Sequence, residues 1–209
     1  MLTSLTLLEK LFFVVSLVIA VPVHEAMHGY MAHWLGDDTA EEAGRLTLNP
    51  LKHVDLYTTI LLPTFMMLVG LPPLMVAKPV PFNPYRVKFG EFGAALVGFA
   101  GPLSNILMAI VVSVFLRIDI RSLSDNATQF LVIFVEVNVM LFIINMIPIP
   151  PLDGSRLLYA VAPEPLQKVM QRIEAFGFAS IIFIFLLIFL VFGNDIYTLE
   201  IHLVNLLIG

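Results

Sequence analysis

Two histidines and a glutamate stand inside a run of apolar residues, in the order His24-Glu25-x-x-His28. No other feature limits the fold as tightly. On a helix, residues four apart lie one turn above each other on one face. Two imidazoles stacked in this way can share one Zn²⁺. Glu25 follows the first histidine, so it can reach a water beside the metal without being a ligand, as the general base of a metallopeptidase does. Facing lipid, each of these ionisable groups would cost about 2.5–3.5 kcal/mol. The pattern therefore requires a helix whose polar face turns into protein, and a third ligand from elsewhere in the chain.

The composition agrees with a bilayer setting. Of 209 residues, 59% are hydrophobic and only 13% charged, and the mean hydropathy is +0.94. A soluble domain needs a more charged surface. Because about 20 apolar residues span a bilayer and several such runs occur, we expect an all-α polytopic membrane protein. It would have about four to six transmembrane or re-entrant helices in a single domain over residues 1–209. No cysteine is present, which excludes disulfides, thiolate ligands and a cysteine nucleophile. The net charge of -5 argues against nucleic acid as a partner. Residues 1–20 lack the basic start of a cleaved signal.

Taken in order, residues 11–34 read as the first spanning helix, bent at Pro22 just ahead of the motif. His33 is off the ligand face and reads as an interfacial histidine beside Trp34. Residues 35–56 form a polar loop in which His53 and Asp55 are ordinary solvated groups. Residues 57–76 are apolar but broken by Pro63, Gly70, Pro72 and Pro73. Pro79, Pro81 and Pro84 keep residues 77–90 out of a helix and favour an extended or β conformation. Such a segment either offers an edge to a substrate strand or simply connects. Helices follow at 91–116, where small residues from Gly93 to Gly101 allow close packing, and at 127–147. The second contains Asn138, read as interhelical glue, and Asn145. Pro148, Pro150 and Pro151 then stop the helix. Asp153 leaves from irregular backbone, which is tolerated at membrane depth only against protein or water. It is the best candidate for the missing ligand. A short helix at 155–162 and C-terminal helices over 164–208 complete the chain. The last of them, 195–208, is read as lying along the surface.

These residues resemble the site-2 proteases, intramembrane zinc metalloproteases. The likeness rests on His24-Glu-Ala-Met-His28, Asn145-x-x-Pro-x-Pro-x-x-Asp153-Gly154 and Gly101-Pro-x-x-Asn105. The Asn-Pro-Leu-Lys-His and Lys-Pro-Val-Pro-Phe-Asn-Pro stretches look like its compact prokaryotic branch, without a PDZ or CBS domain. The resemblance implies one zinc per chain on His24, His28 and Asp153, with Glu25 as base and a catalytic core over about 11–160. It implies substrate placement by Asn145, Asn105 and the segment Pro79, Val80, Pro81 and Phe82. The partners would be the lipid bilayer and a transmembrane protein or peptide substrate, cut in or near the membrane span of a single-span protein. The alternatives are a membrane-embedded zinc peptidase for soluble peptides and a non-catalytic metal binder or transporter. A transporter has no need of a base at position 25.

Topology adds one expectation. For His24, His28 and Asp153 to meet at one depth, 57–76 must dip in and return rather than cross. The loops flanking it would then share a side carrying Arg45, Lys52, Lys78, Arg86, Lys88, Arg156, Lys168 and Arg172, against Lys10, Arg117 and Arg121 opposite. By the positive-inside rule the protein is a multi-pass cell-membrane protein with its site nearer the cytoplasm.

Overall fold

Thr6 sets where the first helix begins. Its hydroxyl accepts from the Glu9 backbone N–H at 3.3 Å, and the Glu9 carboxylate accepts from the Thr6 N–H at 2.7 Å. This reciprocal cap satisfies donors the helix would otherwise leave open, so the helix starts four residues ahead of the sequence expectation. The computed structural model describes residues 6–53, 55, 61, 78–119 and 123–209. Its helices are α1 (Leu7–Trp34), α2 (Thr39–Glu42), α3 (Glu91–Asp119), α4 (Asp125–Asn145), α5 (Gly154–Val161), α6 (Glu164–Ala175) and α7 (Phe178–Ile208). Among the described residues there is no strand.

Four of these, α1, α3, α4 and α7, are long and apolar enough to cross a membrane. The shortest, α4, has 21 residues and is about 31 Å long, matching the hydrocarbon thickness. The chain is a multi-pass membrane protein. The other end of the Glu9 cap fixes helix direction, because Gln129 Nε2 donates to Glu9 Oε1 at 2.8 Å. Phe12 and Phe130 meet edge to face with centroids 5.5 Å apart. The starts of α1 and α4 thus lie together and the two helices run parallel. Between them α3 runs the other way, its Val97 opposite His28 and its Asn105 opposite His24.

The core divides by helix pair. Leu17 and Ala20 pack on Val137, and Ala109 and Leu116 pack on Val135, Val139 and Ile143. At the far end Ala32, Leu35, Val87 and Val97 close the bundle. Pro22 and Pro102 lie inside α1 and α3, which continue through them.

Residues 78–83 are neither helix nor strand, with turns from Pro84 to Gly90. Backbone N–H groups moor this segment at intervals. Lys78 donates to His53 O at 2.9 Å, Val80 to Glu25 Oε2 at 2.9 Å, Asn83 to Asp37 Oδ2 at 2.5 Å and Lys88 to Leu35 O at 2.9 Å. Asp37 is fully buried. Burial alone would raise its carboxyl, but hydrogen bonds from Thr39 and Asn83 hold it below the usual carboxylate range.

The re-entrant expectation for 57–76 falls outside the described residues. The described residues on either side of that stretch, His53 and Lys78, are joined by a backbone hydrogen bond. Two expectations need correction. His53 is not solvated but 2% exposed, with Nε2 on the Thr47 carbonyl. The end of the chain does not lie apart on the surface either, since residues 178–208 are one continuous helix. Apolar residues recur on both sides of Asp195, and one acidic group does not stop a helix whose backbone bonds are all internal.

Candidate metal centre

The ligand face of α1 follows from helix geometry, and α3 orients its two imidazoles. His28 Nδ1 lies 2.7 Å from the carbonyl oxygen of Val97, and His24 Nδ1 lies 2.6 Å from Asn105 Oδ1. The Val97 carbonyl can only accept, so His28 carries its proton on Nδ1. For His24 the answer is set three residues away. Asn138 Nδ2 donates to the Phe134 carbonyl at 2.8 Å, and Asn105 Nδ2 donates to Asn138 Oδ1 at 3.0 Å. Each amide is fixed by the next, Asn105 presents its oxygen, and His24 also holds its proton on Nδ1.

Both Nε2 atoms are therefore lone-pair donors, and they lie 3.1 Å apart. Asp153 Oδ2 is 3.0 Å from one and 3.3 Å from the other. That oxygen is buried and has no hydrogen-bond partner among the described residues. Three acceptors converge with no hydrogen between them, an arrangement that is repulsive unless a cation sits at the centre. Two imidazoles and one carboxylate are a three-ligand zinc set that leaves a position open for water or substrate. The donors fit the metal on their chemistry and on this orphaned oxygen.

Asp153 reaches the site because the proline-rich turn folds back on itself. A Cβ on Gly154 would lie 2.4 Å from the Met146 carbonyl oxygen, so only glycine lets the turn close on the end of α4. Glu25 projects from α1 beside the pair and accepts from Val80 N–H; its second oxygen has no hydrogen bond among the described residues. Val80, with Pro79, Pro81 and Phe82, thus lies along the site. Phe82 packs under the Arg156 guanidinium, 5.8 Å from its centroid. Asn145 points elsewhere, its amide donating to Leu141 O on its own helix at 3.0 Å.

Sequence reasoning missed two parts of this centre. One is Asn138, taken as general glue although it fixes the His24 tautomer through Asn105. The other is Asp37, which lies outside the ligand set but anchors the segment beside Glu25 through the Asn83 N–H. A second cluster, His33 with Asp38 and Glu41, is exposed on the surface. Supporting partners of metal histidines typically matter by 10–100-fold in affinity. Asn105→Ala is therefore expected to weaken zinc binding about 10–100-fold, read by competition with a fluorescent chelator.

The comparisons with known proteins point the same way. The model of peptidase family M50 matches residues 117–190. The chain is 34% identical over 182 residues to "Putative zinc metalloprotease YwhC" of Bacillus subtilis, covering 83% of this chain and 80% of that one. It is 26% identical over 166 residues to "Putative zinc metalloprotease Rip2" of Mycolicibacterium smegmatis, covering 77% of this chain and 61% of that protein. No solved structure matches.

Proposed function

The chain belongs to peptidase family M50, and on that premise we propose that it is an intramembrane zinc metalloprotease that cuts single-span membrane proteins in or near their transmembrane segments. His24, His28 and Asp153 hold the zinc, and Glu25 is the general base. The observation that carries this reading is the convergence of two imidazole lone pairs and a buried carboxylate oxygen on one point.

Depth supports the substrate class. His28 and His24 lie six and ten residues before the end of α1 at Trp34, about 9 and 15 Å along its axis. A site that far inside favours a peptide bond already in the membrane. Bound zinc would supply Lewis acidity, which makes water nucleophilic near neutral pH and polarises the scissile carbonyl. Asn105 and Val97 hold the imidazoles in the ligating tautomer. Glu25 takes a proton from the attacking water and delivers it to the leaving amine nitrogen as the C–N bond breaks. The moored segment Pro79–Phe82 runs past this base and carries the substrate backbone alongside it, whereas the Asn105 amide is spent on His24 and Asn138 and that of Asn145 donates within its own helix.

Orientation follows from charge. Eight of the eleven basic residues lie on the side shared by residues 35–56, 77–90 and 148–172, a bias that supports an orientation with the metal nearer the cytoplasm.

The test is co-expression with a set of single-span membrane proteins, comparing the natural chain with Asp153→Ala. Shortened products that disappear in the variant, together with its zinc, are expected. Cleavage of soluble peptides alone would move the substrate to the water side. Products that persist without bound zinc would overturn the metalloprotease reading.

A further inference from the structure

A pocket with a mixed polar and apolar lining lies between α4 and α7, away from the metal centre. Glu136 from α4 and Tyr197, Glu200, Ile201, Val204 and Asn205 from α7 line a cavity of about 140 Å³, with room for several waters. Glu200 is 8% exposed. Neither glutamate makes a hydrogen bond or ion pair with any described residue. Glu136 is eleven residues into α4, about 16 Å from its start and near mid-membrane. Ionisable groups at such depth are costly and mark ion pathways or binding sites.

The lining selects the ligand. Two carboxylates, a phenol and an amide carbonyl offer oxygen only, the donor set of a hard cation, whereas the imidazole pair on α1 suits zinc. A flexible set on two helices suits the variable coordination of calcium better than the strict octahedron of magnesium. Gln129, seven residues before Glu136 and on the same face of α4, is bound to Glu9 at the start of α1. α7 is also the least embedded span, with 11% of its apolar window buried, so an ion shared with α4 would tie it to the bundle.

We propose that Glu136 and Glu200, with Tyr197 and Asn205, bind a calcium-type divalent cation between α4 and α7. The probe is Tb³⁺, whose emission a nearby tyrosine sensitises, added to the full-length zinc-loaded protein in detergent. Emission excited through tyrosine that Ca²⁺ displaces, and that Glu136→Gln and Glu200→Gln each lose, is expected. Ca²⁺ should also raise the unfolding temperature of the natural chain by several degrees and leave both variants unmoved. Emission that Ca²⁺ does not displace, or that both variants retain, overturns the proposal. So does a natural chain whose unfolding temperature is indifferent to millimolar Ca²⁺, a measurement that needs no variant to fold.

Discussion

Gly101→Ala is expected to yield a folded protein that purifies without zinc. A Cβ at this position would lie 2.4 Å from His28 Nε2, 2.6 Å from His28 Cε1 and 2.7 Å from His24 Cε1. Those separations are far inside van der Waals contact, so the backbone of α3 lies directly against the ligand edges of both rings. The clash has no inexpensive escape. The rings are held through Nδ1 by Val97 and Asn105, which share α3 with Gly101. Moving α3 away to make room would pull on the same bonds that orient the ligands. Metal–ligand distances tolerate only about 0.2 Å, less than the displacement needed. Zinc content and proteolysis should both fall at least about tenfold, the lower end of effects seen when supporting partners are lost. Circular dichroism should report unchanged helix content. Gly193→Ala in α7 is the control, since its methyl would meet nothing nearer than 3.7 Å, and it should keep both zinc and activity. Stoichiometric zinc in purified Gly101→Ala would refute this account of the centre.

The same glycine marks how far the sequence could be read. Its spacing from Gly98 suggests close helix packing, which is correct in kind, but the sequence does not say what approaches. His24 and His28 are legible because their relation is local: one helical turn fixes it. Asp153 is legible because three prolines force it onto irregular backbone at membrane depth, where a polar group needs a reason. The absence of helix at 78–83 follows from prolines that cannot be helical. Hidden from the sequence is everything set by pairing between distant segments. Asn138 and Asn105 join across two helices, and nothing local distinguishes an asparagine that fixes a tautomer from one that merely glues. Asp37 is one acidic residue among several in a polar stretch; its local bonds to Thr39 are ordinary turn contacts, and its long-range role comes from the returning chain at Asn83. His53 is buried by long-range contacts, which composition-based reasoning about loops cannot anticipate. The continuity of α7 through Asp195 is likewise hidden, because one charge inside an apolar run looks the same whether the helix ends there or goes on.

Glu25→Gln should separate chemistry from structure more cleanly than any other change at the site. The glutamate has two tasks in the proposed mechanism. One carboxylate oxygen accepts the Val80 N–H at 2.9 Å and moors the segment that would carry substrate. The carboxylate also has to receive a proton. Glutamine keeps the carbonyl oxygen, the length and the volume, so the mooring survives. It leaves His24 and His28 untouched, so zinc binding survives as well. Only proton acceptance is lost. Positioned bases contribute about 10²–10⁴-fold, and cleavage should fall by about that factor with zinc content unchanged and substrate still bound. Glu25→Ala should go further, because it also frees the Val80 N–H, and the variant should hold substrate more weakly than Glu25→Gln. The comparison is a kcat against KM measurement on one cleaved single-span protein: the glutamine variant loses kcat alone, the alanine variant loses kcat and raises KM. Should Glu25→Gln cleave within a few-fold of the natural chain, the base must be sought elsewhere. Should it lose zinc, Glu25 belongs to the ligand set instead.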